Sequence, residues 1–250
     1  MDTNQVAIVT GSSRGIGAST AKLLARNGFS VCINYVSDAG AAKSVRDQII
    51  ADGGHAMVVQ ADVSSADDVA RLFSTVDAEL GRLSVLVNNA GILMTQCRLE
   101  DISEERFLQV LKTNVMGCFL CSKEAIKRMS TDNGGTGGAI VNVSSVAARS
   151  GSPNEYVDYA ASKGAIDTLT RGLALEVAAQ GIRVNAVRPG LIHTEMHASG
   201  GESNRVDRLQ SKIPMQRGGQ PEEIAEAILW LATDKSSFVT GSFIDPSGGL

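Results

Sequence analysis

The chain lacks a basic surplus. Among its 250 residues, 23 Lys and Arg stand against 27 Asp and Glu, a formal net charge of −4. Proteins that hold a nucleic-acid backbone need a cationic face, so nucleic acid is not an expected partner. No apolar run reaches the roughly 18 residues a membrane-spanning helix needs, and no signal-peptide pattern opens the chain. The expectation is a cytoplasmic protein with no membrane partner.

Cysteine and histidine are sparse too, and their spacing argues against disulfides or a metal. Cys32 falls in an apolar strand pattern and Cys97 in a surface segment. Cys118 and Cys121 form a Cys-x-x-Cys pair inside a helical pattern, with Phe119 and Leu120 between them and no second ligand pair nearby. Packing explains them better than zinc or redox chemistry. His193 and His197 flank Glu195 in a segment that reads as a polar lid, so no metal is expected. The Gly-rich stretch 131–138 lacks the Gly-Lys-Ser/Thr ending of a phosphate loop and reads as a connection.

Apolar residues make up 43% of the chain, enough for a sizeable core. Strands are expected at 6–9, 30–34, 56–60, 85–87, 139–143, 183–187 and 243–245. Helices are expected at 15–27, 39–52, 66–80, 104–129, 157–180 and 221–232. Asp52-Gly53-Gly54 and Gln180-Gly181 supply helix stops. This alternation predicts an α/β doubly wound parallel sheet of about seven strands, helices on both faces, and ligands at the carboxyl ends of the strands. No repeat or linker divides the chain, so 1–250 reads as a single domain. Residues 191–213 form a candidate lid, with Gly200-Gly201 as its pliable joint.

Two local patterns carry chemistry. The first strand runs directly into Thr10-Gly11-Ser12-Ser13-Arg14-Gly15-Ile16-Gly17 and then a helix. Glycines there let backbone N–H groups approach a pyrophosphate, and the helix N-terminus favours the anion. The second pattern is Tyr159-x-x-x-Lys163 with Ser145 upstream. On one helix, Tyr159 and Lys163 share a face one turn apart. A fixed cation beside a phenol favours phenolate, so Lys163 is expected to lower the Tyr159 pKa and suit it to acid–base work near neutral pH.

Thr10-Gly11-x-x-x-Gly15-x-Gly17, Asp62-Val63, Asn88-Asn89-Ala90-Gly91, Asn114, Ser145, Tyr159-x-x-x-Lys163 and Pro189-Gly190-x-x-x-Thr194 stand in the order and spacing of the short-chain dehydrogenase/reductase family. The chain resembles that family over essentially its whole length, through Gly248-Gly249. The resemblance implies a Rossmann-type fold and hydride transfer between a nicotinamide and a carbonyl or secondary alcohol. By the same resemblance, Tyr159 is the proton donor or acceptor, and Lys163 tunes it and holds the nicotinamide ribose. Ser145 binds the reacting oxygen, and Asn114 holds a water that links Lys163 to solvent. The implied cofactor set is Gly11, Ser13, Arg14, Gly15, Ile16, Gly17, Asn34, Tyr35, Ser37, Asp62, Val63, Asn89, Ala90, Gly91, Tyr159, Lys163, Pro189, Gly190, Ile192 and Thr194. Ser145 precedes Tyr159 by fourteen residues, where thirteen is the commoner family spacing. The extra residue falls within 151–158.

Cofactor choice turns on the end of the second strand. NAD-preferring sites place an acid there, which would repel a 2′-phosphate. Tyr35 takes that place here, and Asp38 lies beyond it as a helix cap. Arg14 is expected to reach a 2′-phosphate, with Ser37 or Asn34 adding hydrogen bonds, so NADPH is preferred over NADH. Substrate classes within the resemblance are small carbonyls or alcohols, 3-oxoacyl-carrier-protein thioesters and sugars such as glucose. Lys127, Arg128 and Arg171 are candidates for docking a carrier protein, although Leu175 stands where another basic residue is expected. A non-catalytic NADP-sensing protein is the reading from another class. Surplus apolar residues on the helices at 104–129 and 157–180, among them Val110, Val115, Phe119, Ala165, Leu169, Leu173 and Val177, point to a homotetramer.

Overall fold

Seven strands form one parallel sheet in the order β3-β2-β1-β4-β5-β6-β7 in the computed structural model, which describes residues 5–250. The strands are β1 (Gln5–Val9), β2 (Phe29–Tyr35), β3 (His55–Gln60), β4 (Leu83–Asn88), β5 (Gly138–Val143), β6 (Ile182–Val187) and β7 (Phe243–Ile244). Between them run α1 (Gly15–Arg26), α2 (Ala39–Ala51), α3 (Ala66–Glu79), α4 (Glu104–Leu111), α5 (Gly117–Met129), α6 (Ala147–Ser150), α7 (Val157–Val177), α8 (Met196–Ser199), α9 (Arg205–Leu209) and α10 (Pro221–Ala232). The strands are mostly apolar and buried because both sheet faces are covered. Buried residues of α1, α2 and α10 form one core layer. Those of α3, α5 and α7 form the other. No helix among the described residues is long and apolar enough to cross a membrane.

The strand order reverses between β1 and β4, which opens a crevice at their carboxyl ends. Local sequence directs the chain to it. Asp38 caps α2 as expected, its Oδ1 accepting from Ala41 N at 2.8 Å. By contrast, no side chain caps the start of α1. The first-turn N–H groups of α1 therefore stay free to meet an anion.

Two elements depart from the expected pattern. The helix expected over 104–129 is interrupted by one wide π turn, Lys112–Met116. Asn114 sits in that turn and is buried. Its Oδ1 accepts from Ile92 N at 2.8 Å, and its Nδ2 donates to Ile92 O at 3.2 Å and Ser162 Oγ at 2.9 Å. Three bonds to buried partners reward a turn that a plain α-helix would not make. The last strand stops at Ile244, because Asp245 turns away to Arg149 and Arg188 at 2.7 and 3.5 Å. The expected lid 191–213 consists of α8, α9 and a short 3₁₀ turn, with the anticipated joint at Gly201, φ +87.

Candidate active site

The loop after β1 and the loop after β4 interlock. Asn89 Nδ2 donates to both Thr10 O and Gly11 O at 2.9 Å. A Cβ on Gly17 would lie 2.5 Å from that Asn89 nitrogen and 2.6 Å from Gly11 O, so no side chain fits there. Gly11 holds φ +60 against Ala90, a left-handed conformation that glycine alone adopts readily. These contacts shape one end of a cleft of about 610 Å³.

That cleft is lined by Gly11, Ser13, Arg14, Gly15, Ile16, Gly17, Tyr35, Ser37, Asp62, Val63, Asn89, Ala90, Gly91 and Thr194, as the motif reading expects. Asn34 is a correction. It is fully buried, its Oδ1 accepts from Gly11 N at 3.1 Å, and its Nδ2 donates to Ala61 O at 2.9 Å. The side chain braces the glycine loop and has nothing left for a 2′-phosphate. Pro189, Gly190 and Ile192 line instead a neighbouring cleft of about 740 Å³, which Thr194 also borders. Gln109 of α4 and Thr113 of the π turn also line the first cleft and carried no motif signal.

Ser145, Tyr159 and Lys163 come together on the wall of the larger cleft. Ser145 lies beside the Tyr159 phenol, near enough to lower its pKa, and its Oγ accepts from Ala147 N at 3.1 Å. Lys163 Nζ donates to Val143 O at 2.7 Å and lies 5.5 Å from the Tyr159 ring centre. Ser162 Oγ, held by Asn114, donates to Tyr159 O at 2.6 Å. Asn114 thus ties the π turn to the turn of α7 that carries the tyrosine. A cavity of about 10 Å³, near the size of one water, touches both Asn114 and Lys163.

The electrostatics reverse one expectation. Burial pushes the Tyr159 phenol up to about 12, against a lowering by the Ser145 hydroxyl. Burial also pulls Lys163 down to about 8 from its ordinary 10.5. A crowded, poorly hydrated site disfavours phenolate and ammonium alike. At Tyr159 desolvation is the larger effect, and the lowering that opposes it comes from Ser145 rather than from Lys163.

The extra residue between Ser145 and Tyr159 lies in a tightly turned loop at the mouth of the larger cleft. Gly151, Ser152 and Asn154 there have φ of +74, +43 and +63. Two of the three are not glycine, so the loop is strained. Lid contacts hold it: Arg205 Nη2 meets Glu155 Oε2 at 2.5 Å, and Tyr156 Oη donates to Gly200 O at 3.2 Å. Lys127 and Arg128 are engaged with Glu124, and Arg128 also with Asp77. Arg171 lies over the Phe243 ring at 4.6 Å. No group of His, Cys, Asp and Glu among the described residues could hold a metal ion.

Fold and site define a dinucleotide-dependent α/β oxidoreductase, and comparison with known proteins narrows the class. A family model described as enoyl-(acyl carrier protein) reductase matches residues 11–250. The chain is 64% identical over 244 residues to the uncharacterized oxidoreductase YgfF of Escherichia coli K12, covering 98% of this chain and 99% of that protein. It is 41% identical over 253 residues to a 3-oxoacyl-[acyl-carrier-protein] reductase of Synechocystis, covering 99% and 97%. It is 38% identical over 248 residues to glucose 1-dehydrogenase 2 of Bacillus subtilis, covering 99% and 95%. The crystal structure of a short-chain type dehydrogenase/reductase from Mycobacterium marinum superposes with a TM-score of 0.91 at 35% identity, covering 98% of this chain and 94% of that one. The chain belongs to the short-chain dehydrogenase/reductase family.

The Lys163 displacement has a consequence for stability. Between about 8 and 10.5 the folded chain binds fewer protons at Lys163 than the unfolded chain does. Stability therefore rises with pH across that window, and below it the fold bears the full cost of a buried ammonium. Lys163→Met should raise the unfolding free energy at pH 7 by about 2 kcal/mol, the cost of burial less one lost hydrogen bond. The gain should vanish by pH 10.5. Urea unfolding at the two pH values measures both.

Proposed function

We propose that the protein is an NADP(H)-dependent oxidoreductase that moves hydride between nicotinamide and a carbonyl or secondary-alcohol substrate, with Tyr159 as acid/base. The observation that carries this reading is the meeting of Ser145, Tyr159 and Lys163 on the wall of one cleft, beside a second cleft built on the glycine loop. The cofactor fits the residues present: the uncapped start of α1 suits a pyrophosphate, and Asp62, Val63 and Asn89–Gly91 line the same cleft. Gly91 faces Lys163, where a Cβ would come within 3.6 Å of Nζ. In this reading Lys163 and Tyr159 hold the nicotinamide ribose. Bound there, the cofactor supplies the hydride. Ser145 hydrogen-bonds the substrate oxygen and Tyr159 gives it a proton. A phenol pushed above its ordinary value is protonated at neutral pH, the form that gives a proton to a carbonyl oxygen. The cavity beside Asn114 supports its part in linking Lys163 to solvent through a water.

A small free carbonyl compound suits the surface better than a carrier-bound one. The basic residues that could dock an acidic carrier are tied up in ion pairs or over a ring, and Leu175 is 84% exposed in their midst. A sugar remains within the reading, as the likeness to glucose 1-dehydrogenase 2 supports. The presence of all four acid–base residues argues against a sensor without turnover. The same reading takes the enzyme to be cytoplasmic and homotetrameric. Val110 and Val177 belong to the core, but Phe107, Leu108, Met116 and Phe119 form an exposed apolar row along α4, the π turn and α5. Light scattering at micromolar concentration should return four chains; a monomer mass would overturn the assembly.

Tyr159→Phe keeps the ring and removes the transferable proton. Turnover with a carbonyl panel, read as NADPH absorbance, should drop by roughly 10²–10⁴-fold while cofactor still binds. Wild-type turnover in that variant would end the assignment.

Cofactor choice rests on Tyr35, Ser37 and Arg14, all of which border the cleft. Arg14 is exposed at the turn into α1 and is free to meet a 2′-phosphate. A charge-assisted contact is worth about 1.5–3 kcal/mol. Arg14→Ala should therefore cut the kcat/KM preference for NADPH over NADH by roughly 10–150-fold. An unchanged ratio would show that Arg14 does not set the choice.

A further inference from the structure

Tyr159, Lys163 and Asp167 stand at successive turns of α7 and share one face of it. The carboxyl end of β5 meets each in turn. Ser145 lies beside Tyr159, and the Val143 carbonyl accepts from Lys163 Nζ at 2.7 Å. Ser144 Oγ donates to Asp167 Oδ1 at 2.7 Å. The other Asp167 oxygen accepts from Arg188 Nε at 2.9 Å and pairs with its Nη2 at 2.8 Å. Asp167 and Arg188 are both more than nine-tenths buried. The guanidinium of Arg188 covers the Phe243 ring at 3.9 Å. A buried carboxylate is costly unless paired, and this one is bonded at both oxygens directly behind the site.

We propose that Asp167 is a positioning residue for Lys163: its buried carboxylate, one turn further along the same helix face and held in place by Ser144 and Arg188, sustains the ammonium. The inference rests on the reading of Lys163 as the partner of Tyr159. Few charged groups face Lys163. Its own helix offers Tyr159 and Asp167, and α5 offers Cys118. The β5 end contributes a carbonyl, while the loop after β4 and the π turn contribute the uncharged Gly91 and Asn114. Burial pushes the Cys118 thiol up to about 12, so it is neutral where Lys163 titrates, at about 8. Asp167 is then the anion that holds the proton on Lys163 against burial. Arg188, on the far side of the carboxylate, weakens that hold by sharing its charge.

The test is the titration of Lys163 followed by NMR of ¹³Cε-lysine protein without cofactor, its signal assigned by loss in Lys163→Met. Asp167→Asn should lower the Lys163 midpoint by roughly one pH unit, the low end of the effect of a nearby opposite charge. Arg188→Met should raise it. Ser144→Ala removes the hydrogen bond but keeps the charges, and should leave it in place. A wild-type midpoint in either folded charge variant, shifts of the same sign in both, or an equal shift in Ser144→Ala would overturn the proposal. Opposite signs cannot come from general loosening, and either charge variant suffices if the other does not fold. Because the readout needs no turnover, its failure is distinct from that of the catalytic reading, which Tyr159→Phe decides. In Asp167→Asn the alkaline limb of the kcat profile should move down by the same amount as the NMR midpoint; a limb that stays put counts against the proposal.

Discussion

The seam between the end of β5 and the face of α7 is the constraint on which the site depends. Val143 and Ser144 bond successive turns of one helix, and Ser145 lies beside the turn before them. A parallel strand and the following helix are rigid bodies, so such contacts fix distance and rotation together. Asn114 pins the same helix from the opposite side through Ser162.

Burial shapes the chemistry and charges the fold for it. The same desolvation drives Tyr159 up and Lys163 down, so neither group sits comfortably ionised. In a site built for stability alone, apolar side chains of similar volume would serve better. Retaining two ionisable groups and a buried Asp167–Arg188 pair is the pattern expected where stability is exchanged for function. Losing one partner of such a pair costs about 3–5 kcal/mol, because the other is left buried and unpaired.

The two clefts divide the work. The smaller is made by backbone: glycines, an uncapped helix start and the Asn89 bridge, with few side chains free to vary. The larger is made by side chains from the loop 151–156, the lid and the ends of β5 and β6. A backbone-built site binds a constant ligand, while a side-chain-built one can be altered without disturbing the sheet. Relatives named for different substrates, a 3-oxoacyl-[acyl-carrier-protein] reductase and a glucose 1-dehydrogenase, fit that division.

The order of strands and helices was legible in the sequence because it is local. Apolar runs of four to six residues, glycine stops and helical periodicity each need only near neighbours, and they placed all seven strands. Tyr159, Lys163 and the glycine loop were legible for the same reason, since motif spacing survives as geometry within one helix or one turn. The rest was decided by partners distant in the chain. The π turn exists because Asn114 finds Ile92 and Ser162, 22 and 48 residues away. Asn34 looked available to the cofactor, but contacts with Gly11 and Ala61, 23 and 27 residues away, commit it to the loop. The direction of the Tyr159 shift depends on how many protein atoms displace water around it, which spacing does not encode. Asp167 follows Lys163 by one turn and was in plain view, yet its meaning appeared only when folding placed Ser144 and Arg188 against it. Charges act through space and burial, and those are properties of the packed chain rather than of its order.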